Sequence, residues 1–95
     1  MGGEKPVQKT DKENVREQTR VIDRSVRHVE REITKLDALE KKQLKEVEKL
    51  AKAGQHQAAK TVAKTVAMSR KQKNNYYTMT AQLKGISMQL SSMGT

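Results

Sequence analysis

From Ile22 onward, apolar residues return at alternating steps of four and three: Ile22, Val26, Val29, Ile33 and Leu36. The stripe lapses at Glu40 and Gln43, with Leu39 and Leu44 on its flanks, and resumes at Val47 and Leu50. A period near 3.5 residues belongs to a helix that offers one narrow seam to a partner helix. Nothing in residues 10–53 breaks it, because that stretch holds neither Gly nor Pro. The pattern therefore predicts a first helix over 11–53, roughly 60 Å long at 1.5 Å per residue. Thr10 is placed to cap its free N–H groups, with Glu13 three residues on as in a capping box.

Gly54 is the predicted stop and hinge. A lone Gly tolerates the left-handed cap conformation, and Lys49 and Lys52 just before it suit the negative end of a helix. A second helix is predicted over 55–92, with Ala59, Val62, Val66, Tyr76, Thr80, Leu83, Ile86 and Leu90 near the same repeat. Ser69 and Lys73 fall on this seam, so its middle is polar. Short helix–helix connections make antiparallel neighbours. The expected fold is all-α, a long hairpin closed seam to seam, although Gly54 also permits an opened, continuous helix in a polymer. Residues 1–9, with Gly-Gly, Pro and no periodicity, are predicted to be a disordered tail ahead of a hairpin spanning 10–93.

Composition sharpens this picture. There is no Phe, Trp or Cys, the only aromatics are Tyr76 and Tyr77, and a third of the residues are charged. That supplies stripes but no thick interior, and a two-helix unit with exposed backs usually needs a partner, so self-association is expected. The lack of Cys excludes a disulfide framework and fits a reducing, cytoplasmic setting. No apolar run is long enough to span a membrane. Gly2 invites myristoylation, but Pro6 stands where that motif wants Ser or Thr.

The net charge of +9 is unevenly spread. Residues 1–48 carry twelve Lys/Arg against eleven Asp/Glu, whereas residues 49–95 carry eight Lys/Arg and no acid. Such asymmetry points to a polyanionic partner or to an acidic segment elsewhere that neutralises it. On a helical wheel Arg16, Arg20, Arg24, Arg27, Arg31, Lys35, Lys41, Lys42, Lys45, Lys49 and Lys52 share an arc of about 120° opposite the first seam. Asp23, Glu30, Asp37 and Glu48 lie near one edge of that arc. The bland reading is a solvated face with i,i+4 pairs Asp23–Arg27, Asp37–Lys41 and Glu48–Lys52. Against it, like charges at 16, 20, 24, 27 and 31 repel, which destabilises the helix unless an anionic surface offsets it. This arc is the candidate anion-binding site, for anionic lipid or for nucleic acid.

Catalytic and metal chemistry find no foothold. His28 and His56 sit on different helices without Cys or paired carboxylates, and no phosphate loop, nucleophile elbow or metal-ligand spacing occurs. No cofactor is expected, and the chain reads as a non-enzyme. Met79, Met88 and Met93 suit an adaptable contact surface or plain flanks.

From about Asn14 to Met93 the chain resembles the N-terminal core of ESCRT-III subunits, most nearly the charged multivesicular body protein 2 group. The resemblance rests on Arg20-Val21-Ile22-Asp23-Arg24, on Glu46-Val47-Glu48-Lys49-Leu50-Ala51-Lys52-Ala53-Gly54-Gln55, on Val62-Ala63-Lys64 and on Ser69-Arg70-Lys71-Gln72-Lys73. It implies a cytosolic protein, peripheral on membranes and endosomal if the source is eukaryotic. Such a protein polymerises into filaments on anionic membrane, takes part in scission during endosomal sorting and abscission-type events, works with other ESCRT-III subunits, and is disassembled by an AAA ATPase. By position, Arg16, Arg20, Arg24, Arg27 and Arg31 inherit the membrane contact. Many members begin with a hydrophobic insertion segment, which Met1-Gly2-Gly3 does not supply. Members also carry an acidic C-terminal half with the ATPase-binding motif, which does not occur before Thr95, so the sequence is expected to be a fragment or the ordered part of a longer protein. Without that neutralising half, ready polymerisation or membrane binding is expected. The alternative from another class is a basic coiled-coil adaptor for nucleic acid or another polyanion. The scarcity of aromatics and the absence of a base-reading motif argue against it. A plain coiled-coil spacer would show no anion preference.

Overall fold

A computed structural model describes residues 11–93, with the side chains of 12–92. The predicted N-terminal tail and the Thr10 cap lie outside the described residues. Two helices follow in order: α1, Asp11–Lys52, and α2, His56–Met93. They pack along each other as an all-α antiparallel hairpin, with ends within a residue or so of those expected from the pattern.

The turn is built by Gly54. Its φ of 78° is the left-handed value that Gly adopts without a Cβ clash. Gln55 N–H donates to the Leu50 carbonyl at 2.9 Å and Gly54 N–H to the Ala51 carbonyl at 3.0 Å. These two bonds satisfy carbonyls left orphaned at the end of α1, as in a Schellman motif. On the far side, Ala59 N–H donates to the Gln55 carbonyl at 3.0 Å, which starts α2 at once.

The seam obeys a strict alternation of four- and three-residue steps. In α1 it runs Val15, Thr19, Ile22, Val26, Val29, Ile33, Leu36, Glu40, Gln43, Val47 and Leu50, and none of these is exposed. In α2 it runs Ala59, Val62, Val66, Ser69, Lys73, Tyr76, Thr80, Leu83, Ser87 and Leu90, again with none exposed. Val26, Val29, Ile33, Ala59 and Val66 are buried, joined by the hydroxyl-bearing Thr80. One expected seam residue is displaced. Ile86 is 46% exposed, and Ser87 takes the inward place. From Leu83 the heptad next steps by four, to Ser87, so Ile86 falls on the flank despite its apolar side chain.

Candidate functional site

The back of α1 is positioned by the seam itself. With seam residues turned toward α2, the positions one, two and five residues after each Thr19-type seam position face solvent. Arg20, Arg24, Arg27, Arg31, Lys35, Lys41, Lys42, Lys45, Lys49 and Lys52 are all exposed there, whereas Arg16, also exposed, directly follows Val15 and stands on the flank of the seam, in register with Asp23, Glu30 and Asp37. Arg occupies the open-end half of this rail and Lys the hinge half.

The acids of α1 are not used as the one-helix wheel suggested. Of the three expected pairs, only Glu48–Lys52 forms, at 3.0 Å. Asp37 turns to Lys73 of α2 at 2.6 Å, and Asp23 accepts a hydrogen bond from the Ser87 hydroxyl at 3.4 Å. Glu30 pairs with Lys84 at 3.4 Å, and Glu40 with Arg70 at 3.3 Å. The reason lies in spacing: Asp23, Glu30 and Asp37 stand seven residues apart on the edge next to the seam, within reach of α2. Drawn across the hairpin, they leave their i,i+4 neighbours Arg27 and Lys41 without a counter-charge. Within the rail, the only further pair among the described residues is Lys35–Glu32 at 3.2 Å. No described carboxylate lies within ion-pair distance of Arg16, Arg20, Arg24, Arg27 or Arg31.

At mid-seam sits an ionic layer. Lys73 and Glu40 are only 15% and 16% exposed, 3.2 Å apart, with Asp37 and Arg70 at the edge. The Lys73 ammonium hydrogen-bonded to Glu40 holds that carboxyl below its usual range, against the opposing effect of burial, with Arg70 adding to the shift. Hydrogen bonds to Asp37 first and Glu40 second push Lys73 above its usual range. Opposite charges this close, partly withdrawn from water, each favour the charged form of the other. A polar or charged residue set into a helix seam commonly fixes which register two helices adopt.

The remaining candidates do not assemble into a chemical site. His28 and His56 are both exposed, one on α1 and one at the start of α2. Among the described residues no group of His, Cys, Asp or Glu could hold a metal ion, and no helix is long and apolar enough to cross a membrane. Met68, Met79 and Met88 are exposed and not seam residues, whereas Met93 lies outside the described side chains. The cross-hairpin acids escaped the sequence reading because a wheel of one helix cannot show a competing cation on the other. Their seven-residue spacing beside the seam was the available signal.

Residues 15–95 match the Snf7 family model. The chain is 39% identical over 85 residues to vacuolar protein sorting-associated protein 2 homolog 1 of Arabidopsis thaliana, covering 90% of this chain and 38% of that protein. It is 34% identical to charged multivesicular body protein 2a of Gallus gallus, covering 90% of this chain and 39% of the relative. To ESCRT-III complex subunit did4 of Schizosaccharomyces pombe it is 33% identical, covering 92% of this chain and 41% of the relative. The chain thus spans about two-fifths of the length of these curated relatives. No solved structure gives a significant match. The chain belongs to the Snf7 family, with relatives in the charged multivesicular body protein 2 group, as the residues of both helices suggested.

Proposed function

We propose that this hairpin is the membrane-facing core of an ESCRT-III subunit, that it lies on anionic bilayer through the back of α1, and that it polymerises there into filaments that remodel and cut membranes. The observation that carries this reading is the run Arg16, Arg20, Arg24, Arg27 and Arg31. All five are exposed, Arg20, Arg24, Arg27 and Arg31 lie opposite the seam with Arg16 on its flank, and none has a carboxylate partner among the described residues. Each Lys or Arg near an anionic surface contributes about 1 kcal/mol, screened by salt. Arg further suits phosphate because its planar fork donates in pairs. Other ESCRT-III subunits are the natural lateral partners, given the relatives' names. An AAA ATPase would act through a region outside this chain. The working place on this view is the cytoplasmic face of membranes, endosomal ones in a eukaryote. Nothing in the site supplies catalytic groups, which fits a structural role.

Co-sedimentation with vesicles of graded phosphatidylserine content, with the pellets imaged by negative stain, tests this. The wild-type chain should pellet in proportion to anionic lipid and form filaments or coated tubes. Changing Arg20, Arg24, Arg27 and Arg31 to Glu should weaken binding by at least about a thousandfold at low salt. Binding that ignores lipid charge contradicts the proposal. Indifference to vesicles with tight binding of nucleic acid at the same salt would favour the adaptor reading.

A further inference from the structure

The proposed attachment uses one side of the hairpin, yet a second basic stripe lies on the other. Lys60, Lys64 and Lys71 are all exposed on the outer face of α2. On a helical wheel they span only about 40° and are centred opposite the α2 seam. In a two-stranded packing, residues opposite the seam point away from the partner helix, so these lysines face away from the α1 rail. No described carboxylate lies within ion-pair distance of any of the three, and residues 49–95 contain no acid at all. Just beyond Lys71 the outer face becomes uncharged, with Asn74, Asn75, Thr78, Ala81 and Gln82. The stripe is therefore confined to the hinge half, where the back of α1 carries Lys45, Lys49 and Lys52. That half of the hairpin is basic on both faces, while the open half is basic on one.

Distance decides what the second stripe can do. A hairpin lying on α1 holds the α2 backs about two helix diameters, roughly 20 Å, above the bilayer. The Debye length at physiological salt is about 8 Å, so lysines at that height add little to the first attachment. Lys60 and Lys64 nonetheless repel each other at i,i+4 spacing, a small destabilisation that an anion on that side would relieve.

We infer that Lys60, Lys64 and Lys71 form a second anion-binding face, through which a hairpin already bound by α1 bridges to a second anionic bilayer. This inference rests on the membrane reading of the α1 rail. A bilayer suits the stripe because its lysines are spaced point charges along the outer back of a helix, with no aromatic platform for a base. The activity implied is tethering of two closely apposed membrane surfaces.

The test uses the full chain with phosphatidylcholine vesicles containing phosphatidylserine, reading bound protein by pelleting and vesicle clustering by light scattering. The variant Lys60→Gln/Lys64→Gln/Lys71→Gln is compared with the charge-matched Arg24→Gln/Arg27→Gln/Arg31→Gln, each checked for helicity. The α2 variant should keep binding within about twofold and lose clustering by about tenfold or more, whereas the α1 variant should lose both. Electron cryomicroscopy of wild-type clusters should show facing bilayers roughly 20 Å apart. Wild-type protein that binds without clustering, or an α2 variant that clusters as well as wild type, overturns the inference and leaves the α1 reading standing. An α1 variant that binds as well as wild type overturns the α1 reading itself.

Discussion

The two helices share one seam geometry and differ in almost everything outside it. Helix α1 carries the acids of the hairpin, and α2 carries none. Ion pairing across the hairpin therefore has only one donor of negative charge, and the seam-edge carboxylates of α1 are drawn to Lys73, Arg70 and Lys84 of α2. What holds the hairpin together is also what leaves the back of α1 uncompensated. The rail owes its charge as much to where the acids point as to how many arginines it has.

Two isoleucines, one on each helix, give the largest effect with which to break this comparison. Ile33 is 6% exposed on the α1 seam, so Ile33→Ala should cost about 3 kcal/mol in thermal or denaturant unfolding. Ile86→Ala on the α2 flank should stay within about 0.5 kcal/mol. Equal losses at the two sites would mean that the α2 seam runs through Ile86 and not Ser87.

The hinge comes next. Gly54→Ala should destabilise by about 1 kcal/mol, because its φ of 78° is unfavourable for any residue with a Cβ, even though the space around it is open. An unchanged melting temperature would show that the turn relaxes to another cap. An effect of similar size and opposite sign is expected at Thr80, whose buried hydroxyl oxygen has no hydrogen-bond partner among the described residues. Thr80→Val keeps the shape and should stabilise by roughly 1 kcal/mol.

The ionic layer sets a modest pH dependence. The Glu40 carboxyl titrates below its ordinary value of 4.5 in the folded chain, so its contribution is present above that pH and is lost as the pH falls through the folded value. Lys73 titrates above its ordinary 10.5, so its contribution is present below that pH and is lost as the pH rises through its own folded value. Melting temperature should therefore be flat between these limits and fall on acidification below about 4.5, by less in Glu40→Gln than in wild type. A wild-type profile that matches the Glu40→Gln profile would remove Glu40 from the layer.

Much of the fold was legible because its determinants are local. The 3–4 stripe of α1 with its lapse at Glu40 and Gln43, the stop at Gly54 after Lys49 and Lys52, and the polar middle at Ser69 and Lys73 need no knowledge of the partner helix. The misplacement of Ile86 shows the limit of reading by hydrophobicity. A strict step of four from Leu83 points to Ser87, and the seam kept its period at the expense of apolarity. Likewise Asp23 and Asp37 looked like partners for Arg27 and Lys41 because the competitors, Ser87 and Lys73, lie 64 and 36 residues away. Which contacts a charged side chain makes depends on register, and register emerges only when both helices are in place.

Because the chain has no cysteine, single labels can show whether the back of α1 is the side laid against anionic membrane. A spin label is placed at Ala38→Cys, in the centre of the rail, or at Ala81→Cys, on the uncharged half of α2, both exposed in the hairpin. Accessibility to a water-soluble relaxant is then measured with and without phosphatidylserine vesicles, at a lipid excess that prevents clustering. The label at position 38 should become shielded on anionic vesicles while the label at position 81 stays open to solvent. Shielding at 81 with 38 unchanged would contradict it, and the membrane would then lie against α2.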